Sequence, residues 1–478
     1  MKSKNILVYS LCLSFTLLIS GCKDYLDTSP STAISDELMF NTVDGAQTAM
    51  NGVYNFIRLR STDVEYGTVI QFNNGFDAAA NDLIVRNSMG QMQVYYAHNT
   101  AETRADANLT YQVWSYFYAI INNVNIIINK VDGAEGDAAQ KAAIKGQAMA
   151  IKGWAYFYLI RFYQQTYALA KDMPGVPYYD QGGTTEGRPR ESVSTIYGHI
   201  VEDLTAAVDL LAPFNRMYKS QVNQAVAQGI LAEVYLAMED WQNAATAARA
   251  AKTGYPLMTR EEYRSGFNDW EMGEWMWGVH QTPEQNLGNG SPFTLWANQT
   301  RGDRWTFDFM YVNDLFKDLF SAEDVRNQFW FREDHGFWTS DKFRDAADFY
   351  GDIILMRASE MYLIEAEALA RQGQENDAKQ VLWELQDQRQ AARSTNSGAA
   401  LIDDILVERR KELYGEGFAW FDLIRNQRPV HREGDHPLKP EIPARSWQFI
   451  LQIPTNEFNS NTNLTSADQN PYDGIFQP

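Results

Sequence analysis

The sequence predicts a mainly α protein, built of tetratricopeptide-like helical hairpins with an irregular, loop-rich subdomain. Three observations predict it. Long stretches repeat apolar residues at spacings of three and four. Two helix pairs read as divergent copies of one unit. Before and between them run segments rich in Trp, Gly, Asn and Asp that keep no helical period.

The elements follow in chain order. Lys2 and Lys4 precede an apolar run of 15 residues, Ile6 to Ser20, too short for a comfortable membrane span and matching a secretory signal. Ile19-Ser20-Gly21-Cys22 then places an aliphatic residue and small residues before a cysteine. That pattern resembles the lipobox of bacterial lipoproteins, which implies a signal peptide over 1–21, lipidation at Cys22 and an anchor in membrane lipid. Lys23-Asp24-Tyr25-Leu26-Asp27 is similar to the acidic export signals of some surface lipoproteins.

Asp44 to Leu59 carries Ala46, Met50, Val53, Phe56 and Ile57 at helical spacing. Tyr111 to Val131 and Asp137 to Gln165 are long and apolar, the latter ending in an aromatic face. Ser192 can cap a helix to Leu211. Gln221 to Met238 pairs with Asn243 to Thr253, and Gly254 ends the pair. Ala358 to Arg371 pairs with Asn376 to Gln390, and Ile402 to Tyr414 is closed by Gly415 and Gly417. Ala232 is followed twelve residues on by Ala244, and Ala366 by Ala378. Small residues at that spacing let two antiparallel helices touch, as in tetratricopeptide repeats, although ordinary Ala-rich hairpins would share it. The helical scaffold is thus expected roughly at 35–60, 110–253 and 354–425, and the irregular subdomain at 61–109 and 256–353. Within the latter, Glu274 to His280 alternates like a short strand, with Trp275 and Trp277 as core. Long segments this aromatic are not disordered, and such loops usually carry function.

Composition excludes several classes. The 478 residues hold 41 Lys+Arg against 61 Asp+Glu, a net charge of −20. A chain this acidic lacks the cationic surface that nucleic-acid binding demands, or that a basic face on anionic lipid demands. Two cysteines, both in the first 22 residues, exclude a disulfide-stapled scaffold and a Cys-rich metal site. No HExxH, P-loop, Rossmann or nucleophile-elbow pattern is present, and His431 and His436 make a poor zinc pair. No cofactor is expected, and no motif marks a metal site, which leaves open a calcium held by irregular loop carboxylates. Arg301-Gly302-Asp303 reads as a chance tripeptide.

Several stretches together resemble the SusD/RagB family of outer-membrane lipoproteins. These are the lipobox with Cys22 to Asp27, Tyr156-Phe157-Tyr158-Leu159-Ile160-Arg161-Phe162-Tyr163 followed by Pro174-Gly175-Val176-Pro177, Arg357 to Ala368, Glu408 to Leu413 with Glu416-Gly417 and Trp420 to Arg425, and Gln469 to Tyr472. The resemblance spans nearly the whole chain. It implies a surface-exposed, lipid-anchored domain over 22–478 that binds oligosaccharides, or in some members peptides, without catalysis. Its partner would be a SusC-like TonB-dependent transporter, over which it closes as a lid. A secreted glycoside hydrolase and a tetratricopeptide adaptor are the remaining readings. The shared motifs are scaffold: Glu408, Arg409, Glu412 and Arg425 can form ion pairs, while Trp420, Phe421 and Ile424 bury one face.

Sugar binding needs a flat aromatic face with donors and acceptors at its edge. Seven tryptophans lie between 270 and 338. Trp296 and Trp305 have the wanted company, with Arg301 among their polar neighbours, although both rings could instead pin loops to the helical body. The family layout adds Asp82, Arg86 and Tyr96 from the first irregular segment.

Overall fold

The computed structural model describes residues 36–59, 65–86, 92–98, 100–285, 287, 291–296, 310–344 and 350–477. Cys22, Arg301 and Trp305 lie outside them. The longer helices are α1 (Val43–Arg58), α2 (Val69–Ala79), α3 (Asn108–Lys130), α4 (Ala138–Tyr163), α5 (Val193–Leu210), α6 (Gln224–Met238), α7 (Trp241–Ala251), α8 (Ala358–Arg371), α9 (Glu375–Gln388), α10 (Ala399–Leu413) and α11 (Ala419–Arg425). The fold is mainly α, as the periodicity predicts. No helix among the described residues is long and apolar enough to cross a membrane.

Helix α4 lies against α3 and α5. Its second half buries Trp154, Tyr156, Phe157, Leu159, Ile160, Phe162 and Tyr163, so it is apolar nearly all round, as a central helix must be. Gly153 allows α5 to approach, because a Cβ there would lie 2.8 Å from Leu204 Cγ.

The hairpins α6–α7 and α8–α9 are neighbours in space, with α7 packed on α8. The intervening segment is therefore an excursion from a continuous stack. Ala232, Ala244, Ala366 and Ala378 are all fully buried, which is where the twelve-residue spacing places them. Asn223 caps α6 through the Val226 amide at 3.0 Å, and Asp240 caps α7 through Asn243 at 3.2 Å.

The excursion builds two sheets. The predicted strand is β2 (Trp275–Val279), paired antiparallel with β6 (Ile353–Arg357). Trp275 and Trp277 are buried there. The second sheet was not read from the sequence: β1 (Leu83–Val85), β3 (Met310–Val312), β4 (Phe329–Arg332) and β5 (Phe337–Ser340) pair in the order β1-β3-β5-β4, all antiparallel. Residues 69–79, expected to be irregular, form α2. Thr68 and Gln71 make a capping box at its start, and almost every side chain of α2 is buried, which erases amphipathic periodicity.

Ion pairs lock the scaffold. Arg326, Arg357 and Arg389, all buried, converge on Glu412, with Arg326 at 3.0 Å and Arg389 at 2.9 Å. A second cluster joins Arg425 to Glu367 (2.8 Å) and Asp422 (2.7 Å), and Arg409 to Asp422 (2.8 Å). Burial alone would raise these carboxyls. For Glu412 the attraction of Arg389, Arg357 and Arg326 wins and holds it well below the usual range. Arg425 lowers Glu367, and Arg409 with Arg425 lowers Asp422. The sign follows: folded pKa values below the unfolded ones add stability above about pH 4, which is lost as pH falls through the folded values. Glu360, Glu233 and Asp77 have the opposite sign, since burial pushes each of them up. The lowered groups of the ion-pair clusters, Glu412, Glu367, Asp422, Glu274, Glu416 and Asp324, outnumber these three, so far-UV circular dichroism should show cooperative unfolding below about pH 4.

Candidate functional site

The described candidates from the sequence fall in different places. Trp296 is a correction. Its side chain is 1% exposed, stacked on Phe343 at 5.2 Å and edge-on to Tyr414 at 6.2 Å. Gly415, at φ +77°, is the reason this packing closes, since a Cβ there would lie 2.7 Å from Trp296 Cζ2. The ring has no free face, and of its two readings it takes the second: it pins a loop to the body. Tyr96 is also corrected. It is 0% exposed, with its hydroxyl 3.0 Å from His436 Nδ1 and the Arg432 guanidinium 4.1 Å over its ring.

Tyr96 instead helps to hold Asp82. The buried Arg432 donates to the carbonyls of Ala78 (3.0 Å), Ala79 (2.9 Å), Ala80 (2.9 Å) and Tyr96 (2.8 Å). His436 Nε2 reaches Asn81 O at 2.9 Å. Burial holds the His436 ring down at about 4, so it is neutral at pH 7. The turn thus strapped presents Asp82 to Arg410, whose Nε donates to Oδ2 at 3.0 Å. Asp82 and Arg410 line an open cleft of about 440 Å³ with Asn81, Leu315, Arg428 and His431. An Arg432→Lys variant keeps the charge but cannot serve four carbonyls. It should lose at least about 2 kcal/mol, from buried acceptors left unpaired, with faster amide exchange over residues 78–82.

Arg86 stands at the far end of β1. Its Nη1 donates to His335 Nε2 at 2.6 Å, so the opposite ring nitrogen carries the proton and meets the Tyr311 hydroxyl. Arg86 and Asp82 are therefore separated by strand β1, and each is engaged by a different partner.

The structure also shows an aromatic surface that the sequence reading missed. Tyr218, Trp270 and His280 stand near-parallel, with centroids 6.1 Å (13°) and 4.5 Å (19°) apart. Tyr218 is 52% exposed, and the His280 side chain is 47% exposed. Asp352 organises the stack. It accepts from His280 Nδ1 at 2.8 Å, the Trp270 amide at 3.0 Å and the Gln281 amide at 2.8 Å. Tyr218 is set by its loop, where Gln221 Oε1 accepts from the Met217 and Tyr218 amides at 3.0 and 3.2 Å. Gly278 of β2 donates to Lys219 O at 3.2 Å. Among the described residues, no hydrogen bond is made by the Tyr218 hydroxyl, the Trp270 indole N–H or His280 Nε2, although the rings are held in place. With Nδ1 donating to Asp352, Nε2 of the neutral ring is an acceptor. The stack therefore offers apolar ring area edged by a hydroxyl, a donor and an acceptor. Behind it, Trp296 and Asp352 line one small void of about 30 Å³. One signal for Trp270 was available: alone among the central tryptophans it sits directly between two acids, Asp269 and Glu271, a context that favours the surface.

Glu408 and Glu412, the i,i+4 carboxyls of α10, are both buried in ion pairs with Arg326, and no cluster of three or more metal-ligating side chains occurs among the described residues.

The class the fold defines is a mainly α scaffold of stacked, tetratricopeptide-like hairpins that carries an aromatic surface. Residues 24–236 match the family model described as "Starch-binding associating with outer membrane", and residues 339–472 match that of the "SusD family". The chain belongs to the SusD/RagB family. It is similar to a solved SusD-like carbohydrate binding protein from Bacteroides vulgatus, with 28% identity and a TM-score of 0.81 over 90% of this chain and 98% of that one. A SusD-like protein of Bacteroides ovatus is 22% identical over 89% of this chain and 82% of its own. The fold is shared with the surface glycan-binding protein A of Bacteroides uniformis, at 19% identity and a TM-score of 0.73 over 90% of this chain and all of that one.

Proposed function

We propose that this chain is a surface-exposed outer-membrane lipoprotein, anchored through acylated Cys22. In this reading it binds oligosaccharides without catalysis and delivers them, as a lid, to a SusC-like TonB-dependent transporter. The observation that carries the binding claim is the Tyr218–Trp270–His280 stack, with three ring-edge polar groups unspent. A pyranose presents an apolar C–H face to such rings and hydroxyls to their edges. Family membership, and the carbohydrate-binding description of the Bacteroides vulgatus relative, support the same reading. Trp305 and Arg301, outside the described residues, remain proposed contacts.

A glycan array with the mature chain tests the cargo, and binding should be weak, with millimolar affinity corresponding to about −4 kcal/mol. Peptide binding with no glycan bound would contradict it, and product formed from any bound oligosaccharide would contradict the non-catalytic role. Affinity capture from solubilised outer membranes should recover a β-barrel transporter. Recovery of soluble periplasmic proteins alone would favour an adaptor. Cys22→Ala should release the protein from the membrane fraction.

A further inference from the structure

We propose that the ring stack selects neutral glycans and rejects uronic-acid or sulfated ones; the inference rests on the glycan-binding reading above and names its substrate class. The argument is the charge around the rings. Asp269 and Glu271 flank Trp270 in the chain, and Asp352 lies against both Trp270 and His280. Among the described residues, Lys219 and Arg216 flank Tyr218 in the chain, and both are spent on neutral oxygens. Lys219 Nζ donates to Met272 O at 2.6 Å. Arg216 donates to Gln221 O at 3.0 Å and to the Tyr255 hydroxyl at 3.1 Å. Burial lowers the Lys219 ammonium, Glu271 and Asp269 pull it back and Arg216 opposes them, so both acids act on the loop that carries Tyr218, the residue before Lys219. A carboxylate or sulfate on the sugar would meet these acids, while the Arg216 guanidinium and the Lys219 ammonium, among the described residues, are already engaged; recognition of such groups relies on charge-assisted bonds from arginine. The net charge of −20 adds repulsion at longer range. A neutral sugar meets none of this cost. Its hydroxyls find the Tyr218 hydroxyl, the Trp270 N–H and His280 Nε2.

The test is calorimetric titration of the mature chain with short amylose, β-1,3-glucan and cellulose-derived oligosaccharides, each beside its C6-oxidised uronate form. Oligogalacturonate and a sulfated galactan complete the set. At least one neutral glycan should bind through Trp270, and its oxidised form should bind at least tenfold more weakly at low salt. Asp269→Asn with Glu271→Gln should narrow that gap at least threefold while leaving neutral binding within twofold. An acidic glycan that binds through Trp270 as tightly as any neutral one overturns the selectivity and leaves the glycan-binding function standing. Binding of none of these glycans, neutral or acidic, removes both.

Discussion

A Glu412→Gln variant should lose about 3–5 kcal/mol of stability, the cost of breaking a buried ion pair from one side. Arg326, Arg357 and Arg389 are each at most 1% exposed. Without the Glu412 charge, five buried cations (Arg326, Arg357, Arg389, Lys342 and Lys411) share four carboxylates (Asp324, Glu408, Glu274 and Glu416), and the arginines are shut off from bulk solvent. The effect is large because Glu412 joins elements far apart in the chain: Arg326 precedes β4, Arg357 ends β6, and Arg389 follows α9. Urea unfolding reads it, with the exposed Glu271→Gln as control, expected within about 0.5 kcal/mol of wild type. A Glu412→Gln protein as stable as the control would show that the network is replaceable by packing.

The second large effect separates two tryptophans. Trp296→Ala removes a sealed ring and should cost about 3–5 kcal/mol. Any loss of binding in it should track loss of fold. Trp270→Ala removes a half-buried surface ring, so the fold should persist while glycan affinity falls at least tenfold, a loss in the range of about 1–3 kcal/mol for an aromatic stacking platform. Parallel thermal melts and titrations distinguish the two. A stable Trp296→Ala that no longer binds would restore that ring to the site.

The helices were legible because their signals are local. Ala232, Ala244, Ala366 and Ala378 carry the hairpins at a fixed spacing, and Glu408 to Arg425 carries the ion-pair scaffold in a short run. What was not legible depends on contacts between distant segments. The four-stranded sheet joins residues 83–85 to strands more than two hundred residues away, with strands of three or four residues that are too short to show alternation. Trp296 has polar neighbours in sequence, yet Phe343 and Gly415 enclose it. Trp270 was passed over because its partners are Tyr218, before α6, and His280, beyond β2, and only the pairing of β2 with β6 brings Asp352 beneath them. Asp82 lines a cleft with Arg410, a pairing of residues more than three hundred positions apart that only the fold brings together.

The most direct test of the central claim is a crystal structure of the mature chain with a bound neutral oligosaccharide from the array. A pyranose should lie against the Tyr218–Trp270–His280 stack, with hydroxyls within hydrogen-bond distance of the Trp270 indole nitrogen and His280 Nε2. A sugar seated instead in the Asp82–Arg410 cleft, with the three rings bare, would contradict it.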